Sequence, residues 1–226
     1  MLVGHFAVGL VAKRIEPKMS LGTLVLAALL ADFLWATFLI TGIEHVEFKP
    51  GRGAANYVAG GDIGWSHSLL MDFVWAALLA AVYFSRRRYR RGALVVFAAA
   101  VSHWLLDFVS LAVPLAPDVS RYFGLGLWYS VPATIIVEGG LWLFALVLYS
   151  RATSPKNRLG RYAFWIVAVL LTLAWYNNIT GPPPPSPRVA GVTSLIFFSL
   201  VVAWAYWINR LRPAKTQLNN HRQESA

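Results

Sequence analysis

The chain has 226 residues, is 58% hydrophobic and only 13% charged, and carries a formal net charge of +10 without a single cysteine. Soluble domains run at about 45–50% apolar and about 25% charged residues, so the composition excludes an ordinary soluble domain and predicts an all-α, polytopic transmembrane bundle. The missing cysteines exclude disulfides, thiolate metal sites and a cysteine nucleophile. The positive charge falls in loops and tail, which reads as basic cytoplasmic loops and not as a nucleic-acid surface.

The first apolar stretch, residues 2–12, is too short to cross a bilayer. It precedes Lys13, Arg14 and Lys18, the reverse of the order in a secretory signal. A half-helix held by Lys13 and Arg14 at the inner surface reaches about 15 Å inward. It would carry His5 toward the midplane, the alternative being a solvated histidine near a mobile terminus. About six longer runs are then predicted to span: residues 20–42, 64–84, 92–114, 130–150, 162–180 and 189–208.

The connecting loops alternate in charge. Lys13, Arg14 and Lys18 precede the first span, Arg86, Arg87, Arg88, Arg90 and Arg91 follow the second, and Arg151, Lys156, Arg158 and Arg161 follow the fourth. Arg210, Arg212 and Lys215 follow the sixth. The opposite loops are poor in bases, with Glu44, Glu47 and Asp62 in the first of them against Lys49 and Arg52. Basic loops stay inside, so both termini are expected in the cytoplasm.

Trp128, Tyr129, Tyr162, Trp175 and Tyr176 fall near span ends, where amphipathic aromatics anchor to the interface. The proline-rich stretch 181–187 is read as a stiff outer connector. Residues 1–212 are read as one transmembrane domain and residues 213–226 as a polar, disordered cytoplasmic tail. No internal repeat is visible.

Ionisable residues inside the spans are few: Asp32, His67, Asp72, His103, Asp107 and Glu138, all in the first four. Each costs roughly 2.5–3.5 kcal/mol to place at the centre of a membrane helix on insertion scales. His103 and Asp107, four residues apart, share one helical face. Counted at 1.5 Å per residue from the outer ends, His67 lies ~5 Å deep, Asp72 and Asp107 ~10–12 Å, Glu138 ~13 Å, and His103 and Asp32 ~16 Å. Four helices thus offer their costly side chains at overlapping depths, and a shared buried site gives each a partner.

Imidazoles and carboxylates without thiolates suit zinc, with manganese or iron as alternatives. His67, His103 and Asp107 are the simplest three-ligand set, with His5 joining where the half-helix brings it in. Asp32 and Glu138 are candidates for further ligands, for orienting the imidazoles, or for the base that activates water.

The plainer alternatives are a buried His103–Asp107 ion pair, an interfacial His67, a proton-carrying Asp32 and a Glu138 that only marks a close helix contact beside Gly139 and Gly140. Asp72, five residues from His67, would point about 140° away from it on one regular helix. Ser66, Ser68 and Ser102 flank the histidines, but adjacent helical residues diverge, which argues against a serine nucleophile. His45 and Asp62 are expected to be solvated. No phosphate-binding loop, nucleophile elbow or dinucleotide fingerprint is present.

The succession Gly4-His5, Leu29-Leu30-Ala31-Asp32, Trp65-Ser66-His67-Ser68 and His103-Trp104-Leu105-Leu106-Asp107 resembles the bacterial inner-membrane metal-dependent hydrolases of the LexA-binding type. The likeness covers roughly residues 1–150, and 125–138 also resembles a related membrane branch that carries a permease label. Leu34 stands where the family often has a second aspartate, Asp62 at the place of a histidine–arginine pair, and Ser66 where it has threonine. One or two of the family's ligands are thereby missing, against a two-metal arrangement.

The resemblance implies an integral-membrane metal-dependent hydrolase. Depth suggests a lipid or other amphiphilic substrate entering from the bilayer. The same buried groups in a transporter or proton-coupled permease, or a non-catalytic scaffold with a basic cytoplasmic face, are the alternatives.

Overall fold

The structure, a computed structural model, describes residues 1–48, 58–118 and 121–216. Its long apolar runs are helices, which satisfy their own backbone groups where water is absent. In chain order these are α1 (Leu2–Ile15), α2 (Leu21–Ala28), α3 (Leu30–Thr41), α4 (Gly64–His67) and α5 (Leu69–Arg87). α6 (Arg90–Ser110), α7 (Val131–Ala152), α8 (Arg158–Thr180) and α9 (Pro187–Leu211) follow. Two small antiparallel pairs lie in the loops: β1 (His45–Phe48) with β2 (Val58–Asp62), and β3 (Val113–Pro114) with β4 (Tyr122–Phe123). Lys49 and Arg52 lie outside the described residues, as do residues 217–226 of the polar tail.

Among the described residues five helices, α5 to α9, are each long and apolar enough to cross a membrane, and α2 with α3 makes a sixth span if counted as one. That sixth span is bent by 57°, so residues 20–42 are not the single straight helix the hydropathy predicts. No glycine or proline causes the break. Leu29 adopts φ −101°, ψ 8°, and the carbonyl of Ala28 turns to a side chain of α6, an insertion into the helical ladder of the kind that bends helices. Residues 64–84 are broken as well. Ser68 is extended (φ −77°, ψ 148°) and its hydroxyl accepts from the Met71 N–H as the N-cap of α5. The angular argument that set Asp72 against His67 assumed one regular helix and does not hold.

The spans turn large apolar side chains outward, among them Leu70, Leu78 and Val82 on α5, Ile166 and Leu173 on α8, and Ile196 and Leu200 on α9, as lipid-facing surfaces must. α1 is different. It is too short to cross, yet Val3, Gly4, His5, Phe6, Ala7, Gly9 and Leu10 are all buried among α2, α6, α7 and α8. Phe6 and Leu10 join Leu21, Val25, Trp142, Phe164 and Phe198 in the principal core. Gly9 allows the approach of α2: a Cβ there would lie 2.7 Å from Val25 Cγ2 and 3.1 Å from its Cα.

The inner end of α1 is held by Lys13, whose Nζ donates to the carbonyls of Pro17 and Met19, and by Glu16, which pairs with Arg91 at 2.8 Å. At the other end Gly4 N–H donates to Glu138 Oε1 at 3.2 Å, so a carboxylate meets the positive end of a buried helix. Beyond α9, Ala214 is buried and bridges to Thr153, tying the start of the tail to the α7–α8 turn.

Candidate metal centre

Four separate elements bring ionisable side chains to one place. α6 supplies His103 and Asp107 from one face, α3 supplies Asp32 in its first turn, α4 ends on His67, and α1 carries His5 in from the opposite side. His5 and His103 stack with ring centroids 3.6 Å apart, and His67 meets His103 edge-on at 5.2 Å.

Among the described residues, two groups able to hold a metal ion result, His5 with His103 and Asp107, and Asp32 with His67 and His103. Asp107 is the hub. Its Oδ2 lies 3.3 Å from His103 Nε2 and 3.6 Å from His67 Nε2, and its Oδ1 lies 3.1 Å from His5 Nε2. Asp32 Oδ1 lies 3.9 Å from His103 Nε2 and 4.0 Å from His67 Nε2. The Met1 amino nitrogen donates to Asp107 Oδ1 and Ser110 Oγ and lies 3.0 Å from His5 Nε2.

The bend at Leu29 sets the chemistry of His103. Carbonyls at a helix end lack intrahelical partners, and that of Ala28 takes the His103 Nδ1–H at 2.9 Å. A carbonyl can only accept, so Nδ1 carries a proton, and in the neutral ring Nε2 then carries the lone pair. That lone pair faces the two carboxylates, and neither His103 Nε2 nor Asp32 Oδ2 has a hydrogen-bond partner. Buried acceptors turned on one another are costly unless a cation lies between them.

The donors fit such a cation. Ligands about 2.0–2.1 Å from a tetrahedral zinc are separated by about 3.4 Å, close to the 3.3 and 3.6 Å from Asp107 Oδ2 to the two imidazoles. A divalent ion held here supplies Lewis acidity and lowers the pKa of bound water. The side chain of Asp32 is 17% exposed and that of His67 10%, against 5% or less for Asp107, His5 and His103, so the cluster opens on the Asp32 side.

The remaining ionisable residues take other positions. Glu138 accepts from Gly4 N–H and from Trp128 Nε1–H at 3.3 Å and belongs to neither metal-holding group. Asp72 is buried beside α6, accepting from Trp104 N–H at 3.4 Å. Asp62 Oδ1 accepts from Gly64 N–H at 3.1 Å just before α4, while His45 pairs with Asp62 across the β1–β2 ladder.

Ser66 and His67 meet at 2.7 Å between Oγ and Nδ1, where a regular helix would have kept them apart. The serine nonetheless lies on the far side of the ring from the cluster. Glu44, read from the sequence only as a loop charge, is buried against Ser66. An acid three residues beyond a helix end carries no signal of that burial.

No curated protein and no solved structure matches the chain. The family model described as YdjM inner membrane protein matches residues 1–180, from the start of α1 to the end of α8, and every residue of the cluster falls inside that span. The chain therefore belongs to the YdjM inner membrane protein family, as a multi-pass inner membrane protein whose buried His/Asp group can hold a metal ion.

Proposed function

We propose that the protein is a metal-dependent hydrolase with its site buried in the outer half of the bilayer. The observation that carries this reading is the convergence of the His67 and His103 Nε2 atoms with the Asp32 and Asp107 carboxylates. His67, His103 and Asp107 hold the ion, zinc in preference to manganese or iron by donor type. His5 flanks them through Asp107 Oδ1. Bound there, such an ion would supply Lewis acidity toward a carbonyl or phosphoryl oxygen and a water of lowered pKa.

Asp32 is the residue that would accept the proton of such a water. It is the most open carboxylate of the cluster and its Oδ2 is uncommitted, whereas both Glu138 oxygens accept from N–H donors. Glu138 holds the start of α1, and with it His5. A site walled by spanning helices and open beside Asp32 suits an amphiphile whose polar group enters from the membrane.

Metal analysis of detergent-purified protein tests the proposal. Wild type retains about one equivalent of zinc or manganese, and His103→Ala or Asp107→Asn retains none. Metal-free wild type that still moves a solute in vesicles would transfer the same residues to the alternative reading, a transporter. The broken α2–α3 span favours that alternative, because discontinuous helices line transport sites.

A further inference from the structure

The proton of His103 is placed by a backbone carbonyl. His67 has no such carbonyl, and its Nδ1 faces a hydroxyl that can either give or take a proton. We infer that Glu44, acting through Ser66, holds His67 as its Nδ1–H tautomer and so keeps the Nε2 lone pair aimed at the buried cluster. Glu44 is a positioning residue, and its importance for metal binding rests on the reading of the cluster as a metal centre. The tautomer does not depend on that reading.

The geometry leaves Ser66 one arrangement. Gly42, left-handed at φ 76°, ends α3 and turns the chain so that Ile43 and Glu44 both donate their N–H groups to the Phe38 carbonyl. This lays the Glu44 carboxylate, 1% exposed, over the single turn of α4. Ser66 donates its N–H to Glu44 Oε1 and its hydroxyl to Oε2, each at 2.7 Å.

The hydroxyl has one proton and three neighbours: Glu44 Oε2, His67 Nδ1 at 2.7 Å, and the Ile63 carbonyl at 3.4 Å, which already accepts the His67 N–H at 2.9 Å. A carboxylate is the strongest acceptor of the three. With its proton committed there, Ser66 Oγ can only accept from His67, and the imidazole proton sits on Nδ1. Nε2, at 3.6 and 4.0 Å from the Asp107 and Asp32 oxygens, is left bare. Partners behind a ligating imidazole fix its tautomer and orientation in this way.

Glu44→Gln reverses the chain while keeping its shape. The amide oxygen must accept the Ser66 N–H, which turns the amide NH2 onto Ser66 Oγ. The hydroxyl proton then goes to His67 Nδ1, and the ring proton moves to Nε2. Ser66→Thr keeps the hydroxyl and leaves the chain as it is.

Nitrogen-15 NMR of histidine-labelled protein at about pH 8, where a carboxylate pushed up to about 7 is ionised, reads the tautomer directly, with the His67 signals assigned by their loss in His67→Ala. The expected result is Nδ1–H in wild type and Ser66→Thr and Nε2–H in Glu44→Gln. Zinc Kd is expected to be 10–100-fold weaker in Glu44→Gln and in Ser66→Ala and unchanged in Ser66→Thr. An Nε2–H His67 in wild type overturns the inference, whether or not the variants fold, and so does an Nδ1–H ring in a folded Glu44→Gln. A wild type that shows Nδ1–H but binds no zinc upholds the tautomer and overturns the metal centre.

Discussion

Asp107 contacts His5, His67, His103 and the Met1 amino group. Breaking a buried charge pair from one side costs about 3–5 kcal/mol, because the partner is left desolvated and unpaired. Asp107→Asn should therefore lower thermal stability markedly as well as abolish metal binding, whereas Asp32→Asn at the open edge should cost little stability. Equal melting temperatures for the two variants would contradict this ranking.

Glu44 makes a second prediction. Burial raises its pKa from 4.5 to about 7, against the opposing hydrogen bonds from Ser66. The folded protein then keeps a proton that the unfolded chain releases. This contribution to stability is fully present below pH 4.5 and is lost as pH rises through about 7. Melting temperature measured across that window should fall more steeply for wild type than for Glu44→Gln. Parallel curves would mean that the carboxyl titrates normally.

Apart from α6, the helices that carry the cluster are irregular. α1 is buried yet too short to span, α2 and α3 meet at a 57° bend, and α4 is a single turn cut off from α5 at Ser68. Each irregularity sets a group: the bend frees the Ala28 carbonyl for His103, the break at Ser68 ends α4 on His67, and the docking of α1 stacks His5 on His103. Gly9 is the tightest point of that docking. Gly9→Val would drive a side chain into Val25 Cγ2 and Cα, and overpacking of this kind costs about 1–3 kcal/mol. The variant should melt lower, and if α1 shifts, the zinc of a loaded protein should exchange faster with chelator. Unchanged melting and exchange would show that α1 can withdraw without disturbing the cluster.

Across the whole molecule the cluster lies within a shell of lipid-facing helices, with basic residues at one end and the two β-pairs among the loops at the other. The absence of cysteine from the sequence makes the orientation testable by single substitutions. Asp118→Cys, at an exposed position after β3, should react with an impermeant maleimide on intact cells. Arg87→Cys, exposed at the end of α5, should react only after the membrane is opened. The reverse pattern would invert the topology and place the cluster near the cytoplasm.

Long apolar runs and the alternation of basic and acid-containing loops were enough to give the helical class, about six spans and their orientation, because hydropathy and charge act locally along the chain. The short list of ionisable residues in the first four spans was legible for the same reason: an acid inside an apolar run is conspicuous by its cost. The breaks were not legible. Neither Leu29 nor Ser68 is a glycine or proline, and each break is compensated by hydrogen bonds, in the first case to a residue 75 positions distant. Nor was the burial of Glu44 legible, since a loop carboxylate looks solvated until another segment covers it. Which nitrogen of each imidazole holds its proton, and hence which lone pairs meet, follows from contacts between segments far apart in the chain, and only the packed bundle decides it.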